Sequence, residues 1–329
     1  MKISHAGSLQ DLFAGHRDME RDDYGKYILV PIDFADYSVK AAYLAFELAA
    51  LWGSEIVFLH TFDDSSTKRT VLELTGKLKA LFDSERASGR FASVVYSVVI
   101  KKGVPEDEIK KFVKTNNPRL IVMGTRANDQ KVDELIGSVT SEVLSFTTVP
   151  LIVVPDSSPI KSYASVRNVC YATNFTDKDI YVFDDLMQRL KRYDFNVSFV
   201  HVLENNESAA AMQPAIDAFQ KSVDSKYPSL KKKIAMLPCE KDVPYTLDKY
   251  MKDHGMDILT VKMSSGRGFY NMFVISLAQQ LVYSAKNPLL VLPYMPQNVN
   301  KEKQSDAAKK LMSLHRNMAR VNFFNRKRV

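Results

Sequence analysis

Cysteine is nearly absent from this chain. Cys170 and Cys239 are the only two in 329 residues, which excludes a disulfide scaffold and leaves two distant thiols that read as reduced residues of a cytoplasmic protein. Long apolar runs are missing too. None approaches the roughly 18 residues needed to span a bilayer, so no transmembrane segment is expected. The start of the chain, MKISHAGSLQDLFAGHRDMERDDYGK, has no apolar signal-peptide core, so export is not expected. No Cys/His cluster has metal-ligand spacing, and no motif pairs a Ser or Cys nucleophile with a His base. Neither a metal site nor a catalytic residue is therefore expected.

Charge is unevenly placed. The net +7 resides in the last stretch, where 297–329 carries nine Lys/Arg against Glu302 and Asp306, so that 1–296 sums to zero. The pI of about 9.1 thus describes a tail and not a basic binding face on the folded body. With 46% hydrophobic and 25% charged residues the composition is that of a soluble globular protein, and the length suits two domains of ordinary size.

Self-comparison divides the chain in two. YILVPIDF (27–34) aligns with NVCYATNF (168–175) at an offset of 141, and IVFLHTF (56–62) with VSFVHVL (197–203) at the same offset, placing His60 on His201. Later, VPLIVVP (149–155) aligns with NPLLVLP (287–293) at an offset of 138, which implies a small deletion in the second copy. Each copy alternates β-branched apolar runs with helical patterns, the mark of a parallel sheet with crossover helices. Strands are predicted near 27–33, 55–61, 92–100, 119–124 and 150–155, then 167–174, 195–203, 231–237, 257–262 and 288–293. The first helix carries Val39, Ala42, Tyr43, Phe46, Ala49 and Ala50 on one face, with Asp36 or Ser38 as its cap and Gly53 as its stop.

The most informative stretch follows the fourth predicted strand. Leu120–Met123 ends in Gly124, a polar loop follows, and Gly137–Ser138 opens an amphipathic segment from Val139 to Leu144. Glycine after a strand permits close backbone approach. A Gly-Ser pair at a helix start aims free N–H groups, a hydroxyl and the positive end of the helix dipole at one point, an arrangement suited to phosphate.

These residues, with the VPIDF start, the LH ending the second strand, VMGTR, GSVTSEVL and VPLIVVP, resemble the universal stress protein family in tandem form. The likeness covers about 26–156 and, more weakly, 166–295. It implies an α/β architecture of two tandem Rossmann-like (adenine nucleotide alpha hydrolase-like) domains, each a five-stranded parallel sheet with helices on both faces. The expected layout is an N-terminal arm at 1–25, domain 1 at 26–156, a linker at 157–165, domain 2 at 166–295 and a basic tail at 296–329.

The resemblance further implies ATP or another adenine nucleotide, with or without Mg, over the ends of the first and fourth strands of domain 1. Open α/β sheets bind ligands at that reversal of strand order, outside the carboxyl ends. The residues it assigns are Pro31, Asp33, Thr61, Gly124, Arg126, Ala127, Gly137, Ser138, Val139 and Thr140. Asp33 would accept hydrogen bonds from the nucleoside, or else simply cap the following helix. Thr61 matches a position whose backbone contacts adenine. Gly137 to Thr140 would cradle phosphate by N–H groups and two hydroxyls, or form an ordinary capped helix. Arg126 and Lys131 would supplement the field, or be merely solvated.

The family pattern is Gly, two residues, Gly, nine residues, then Gly-Ser/Thr. Ala127 stands at its second Gly. If that residue takes positive φ, alanine costs on the order of 1 kcal/mol, which weakens affinity about tenfold without abolishing it. Domain 2 departs further, with Asn174 for Asp33, Lys262 for Gly124, Ser265 for Ala127 and Ile275 for Gly137, while Ser276 survives. Its SSGRG run lacks a following Gly-Lys-Ser/Thr and reads as a turn. Domain 2 is expected to be structural. His60 and His201 read as hydrogen-bonded core residues and not as bases.

The expected function is regulatory, stress-linked nucleotide binding. The SGGxDS-type loop of related ATP pyrophosphatases is absent and no general base is evident, so any hydrolysis would be slow and incidental. The rival class is an interaction or scaffold module without nucleotide, engaging a protein or an anionic partner through its basic tail. There Leu311, Leu314, Met318 and Val321 share a helical face that would serve a membrane, nucleic acid or partner helix, or dock on the body itself. Family domains pair through fifth-strand edges. Here 150–155 is expected to meet 288–293 internally, which removes two exposed edges; a homo-oligomer is also open.

Overall fold

The computed structural model describes residues 25–62, 72–73, 75–77, 79–80, 82–83, 89, 91–126, 138–159, 162–190, 194–203, 207–264, 278, 280–281 and 286–294. Residues 1–24 of the N-terminal arm, the basic tail with its apolar stripe, Lys131, Ser265, Ile275 and Ser276 lie outside these residues.

All ten predicted strands form: β1 (Tyr27–Pro31), β2 (Glu55–Phe62), β3 (Tyr96–Lys102), β4 (Leu120–Thr125), β5 (Leu151–Pro155), β6 (Asn168–Ala172), β7 (Asn196–Leu203), β8 (Lys231–Pro238), β9 (Ile258–Ser264) and β10 (Leu289–Tyr294). The main helices are α1 (Asp36–Trp52), α2 (Pro105–Asn116), α3 (Ser138–Phe146), α4 (Asp177–Leu190), α5 (Ala209–Lys226) and α6 (Val243–Asp253). The strands make one sheet in the order β3-β2-β1-β4-β5-β10-β9-β6-β7-β8, so each half repeats the same winding. Strands are parallel within each half. The join is antiparallel, with Leu289 opposite Val153, Leu290 opposite Ile152 and Val291 opposite Leu151.

Alternation along the strands feeds two apolar layers. Ile28, Val30, Phe58 and Val122 pack with α1, α4 and α5 on one face, while Leu29, Val57, Ile121 and Met123 pack with α2, α3 and α6 on the other. Both faces are covered, so central strands such as β5 are buried along their length, as their unbroken apolar sequence requires. Aromatic clusters anchor corresponding places: Phe58 stacks on Phe82 at 4.6 Å, and Phe199 meets Phe219 edge-on at 4.9 Å. Each such fully buried side chain contributes about 1.5–3 kcal/mol. The outer strands β3 and β8 carry Lys101, Lys102 and Lys231 to Lys233, charges that discourage edge-to-edge pairing.

Three local expectations are corrected. The third strand starts at Tyr96 and not near 92, because Val94 N–H bonds to the Phe91 carbonyl at 3.0 Å in a turn that buries Phe91. Helix α1 is capped by Ala35, with no side-chain cap; Asp36 and Ser38 lie inside the helix, and Ser38 Oγ donates back to the Ala35 carbonyl at 2.9 Å. The buried face of α1 is Ser38, Ala41, Ala42, Ala45, Phe46, Leu48, Ala49 and Trp52, whereas Val39 and Tyr43 are half-buried and Ala50 is exposed. Small residues line this face because the helix lies close to the sheet. Gly53 ends the helix as predicted, at φ 63.

Candidate functional site

The strand order reverses between β1 and β4, whose carboxyl ends define the crevice of the first half. Pro31 ends β1, paired in register with Leu59, and the chain turns through Ile32 and Asp33 into α1. Phe34 in this turn has φ 67, and Phe175 in the second half has φ 56. Left-handed backbone at a bulky residue is costly and persists only when its surroundings enforce it. The paired histidines do so. His60 Nδ1 donates to the Ile32 carbonyl at 2.7 Å and its ring meets Phe34 at 5.0 Å. His201 Nδ1 donates to the Thr173 carbonyl at 2.8 Å, beside Phe175. Both histidines therefore hold the strand-to-helix turn, where the sequence indicates only hydrogen-bonded core residues.

Asp33 is exposed at the mouth of the crevice. Its Oδ1 accepts the Ala35 N–H at 3.0 Å, and its Oδ2 accepts the Tyr37 phenol. Partial burial pushes its pKa up, but bonds from Tyr37, Ser38 and the Ala35 backbone outweigh this and leave it below the usual 3.8. Burial and the neighbouring carboxylate push the Tyr37 phenol up to about 12, so it stays a donor at neutral pH. The Arg126 guanidinium lies over the Tyr37 ring at 5.4 Å. Asp33, Tyr37 and Arg126 thus form one connected group. Tyr37 was not foreseen, because Asp33 precedes the Ala35 cap and the meeting of the two side chains depends on how the turn enters α1.

Gly124 belongs to the same group by its backbone. A Cβ built there would lie 2.1 Å from the Tyr37 carbonyl oxygen and 2.8 Å from the Ser38 nitrogen. The close approach read from sequence as ligand access is therefore made by the first turn of α1. Thr61 is half-buried near the end of β2, paired with Lys101. In the first turn of α3, Val139 is half-buried and packs on the apolar layer, while Thr140 is buried, at 3% exposed. Ser138 opens that helix. Ala127 and Gly137, with the intervening loop, lie outside the described residues.

The second half fills the equivalent crevice. Strand register places Lys262 where Gly124 stands, since β9 pairs with β6 and β10 as β4 pairs with β1 and β5. Lys262 Nζ lies 2.7 Å from Asp179 Oδ1, and Asp179 is wholly buried in the first turn of α4. Its other oxygen accepts the Thr176 N–H at 2.9 Å and the Thr176 hydroxyl at 2.5 Å. Among the described residues, no group of three or more His, Cys, Asp or Glu could hold a metal, and no helix is long and apolar enough to cross a membrane.

The family model for universal stress proteins matches residues 26–155. A universal stress protein of Methanocaldococcus jannaschii is 26% identical over 152 residues, covering 39% of this chain and 94% of the relative. A second from the same organism is 27% identical over 139 residues, covering 39% of this chain and 81% of its own. In three dimensions a universal stress protein of Archaeoglobus fulgidus superposes with a TM-score of 0.62 over 83% of this chain and 97% of its own; at 16% identity this is a likeness of fold. Residues 26–155 of this chain thus match the universal stress protein family in sequence, and the described chain shares the fold of a solved universal stress protein.

Proposed function

We propose that the chain is a regulatory, stress-linked protein that binds ATP or a related adenine nucleotide in its first half only, with 26–156 and 166–295 as its two domains and the cytoplasm as its place of work. The observation that carries this reading is the asymmetry at one register position. The first half presents no β4 side chain at Gly124, and Asp33 is exposed beside it. In the second half the Lys262 side chain enters the first turn of α4 and is neutralised there. An ammonium already paired with a buried carboxylate has no need of an anionic ligand. Asp33 would receive the ribose hydroxyls, Pro31 and Thr61 would border the base, and the start of α3 with Gly124 and Arg126 would face the phosphates.

Calorimetric titration of the full chain with Mg-ATP tests this. One nucleotide per chain is expected, with Asp33→Ala weakening binding at least tenfold. Two equivalent sites, or no heat of binding and no thermal shift at millimolar nucleotide, would sink it. For scale, ligand at 100 times its dissociation constant raises stability by about 2.7 kcal/mol.

A further inference from the structure

We propose that Tyr37 is a built-in competitor for the ligand: its phenol holds the Asp33 oxygen that an incoming nucleoside hydroxyl would take, and so sets how tightly this chain binds. The inference rests on the nucleotide reading above and deepens it. Asp33 is an acceptor with about four lone-pair positions, and one on each oxygen is already used, by Ala35 N–H on Oδ1 and by Tyr37 on Oδ2. A ribose diol that spans both carboxylate oxygens must share Oδ2 with the phenol or displace it. Tyr37 is held for this task at both ends. Its backbone carbonyl abuts Gly124, and its ring lies under the Arg126 guanidinium at 5.4 Å.

The Tyr37–Asp33 contact is not needed to build the turn. The second half makes the same turn, with Phe175 at φ 56 and His201 on the Thr173 carbonyl, yet carries Asn174 and Lys178 at the equivalent positions. The phenol–carboxylate pair is therefore a feature of the ligand side and not of the fold. Arg126 ties the device to the phosphate side of the crevice. An anionic group that draws the guanidinium off the ring would loosen Tyr37 as the nucleoside arrives, coupling recognition of the two ends of the ligand.

The test is a calorimetric cycle with Mg-ATP on the full chain, comparing wild type, Tyr37→Phe, Asp33→Asn and the double variant. Tyr37→Phe keeps the ring and its cation contact and removes only the competing donor. It is expected to bind about ten- to hundredfold tighter, the value of one hydrogen bond to a charged acceptor. In the Asp33→Asn background the same change is expected to shift the dissociation constant less than about twofold, because the effect acts through Asp33. Equal or weaker binding by Tyr37→Phe, or the same gain in both backgrounds, overturns the competitor role while leaving the nucleotide site standing. Absence of binding by wild type and Tyr37→Phe alike overturns the nucleotide reading and the competitor role with it.

Discussion

Lys262 Nζ sits 2.7 Å from Asp179 Oδ1, and these two residues occupy the places that Gly124 and Ser38 hold in the first half. One pair is an ammonium and a carboxylate; the other is a hydrogen atom and a hydroxyl. The exchange explains how one fold tolerates both. Where β4 has no side chain, α1 closes down until its Tyr37 carbonyl would touch a Cβ. Where β9 carries lysine, the start of α4 must stand off far enough to admit it, and the buried charge is matched by Asp179.

Breaking that pair from one side should be severe. Lys262→Met leaves a wholly buried carboxylate with only its Thr176 partners, and an uncompensated buried charge costs about 3–5 kcal/mol. The double variant Lys262→Met/Asp179→Asn should lose much less. Urea denaturation of wild type, Lys262→Met, Asp179→Asn and the double variant measures the coupling; additive losses would show that the two charges do not act as a unit.

Gly124→Ala should cost about 3 kcal/mol or more, since the methyl meets rigid helix backbone and not a flexible side chain. Far-ultraviolet melting of the variant checks this. An unchanged melting temperature would mean that α1 can retreat as α4 does.

Stability should fall in acid partly through Asp33. Its pKa is lowered on folding, so its contribution is fully present above the unfolded value near 3.8 and is lost as pH drops through the folded value. Tyr37→Phe removes one of the bonds that lower it. The variant should show a shallower loss of stability between about pH 5 and pH 2 than wild type. Parallel pH profiles by chemical denaturation would contradict this.

The two thiols should differ in reactivity. Cys170 is buried in the sheet and burial pushes its pKa up to about 12, whereas Cys239 is exposed at the end of β8. A thiol reagent is expected to titrate one group in the native protein and two after unfolding. Two fast groups in the native state would mean that β6 opens readily.

The strands were legible because β-branched runs bounded by turn residues carry their own signal, and the repeat offset transferred each reading from one half to the other. The β5–β10 join was legible for the same reason: two equivalent edges, 150–155 and 288–293, needed partners, and each supplied the other. The α1 cap and buried face were not. Periodicity weighted Val39 and Tyr43 by their size, while the helix turned its small residues, Ala41 and Ala45, toward the core. Thr140 was read as a cradle hydroxyl at a helix start, and its burial, which depends on how α3 lies against the sheet, was not foreseen.

By itself the sequence determined the class of fold, the recurring strand order, the switch-point location and the absence of glycine at the second half's equivalent of Gly124. Those properties are written in patterns that run along the chain, and backbone geometry turns them into structure locally. Tertiary structure alone decided that Gly124 makes room for a helix, that Lys262 finds Asp179, and that the Tyr37 phenol reaches the Asp33 carboxylate. Each depends on the distance and angle at which a helix start approaches a strand end. Packing of the whole molecule sets that quantity, and no stretch of residues encodes it separately.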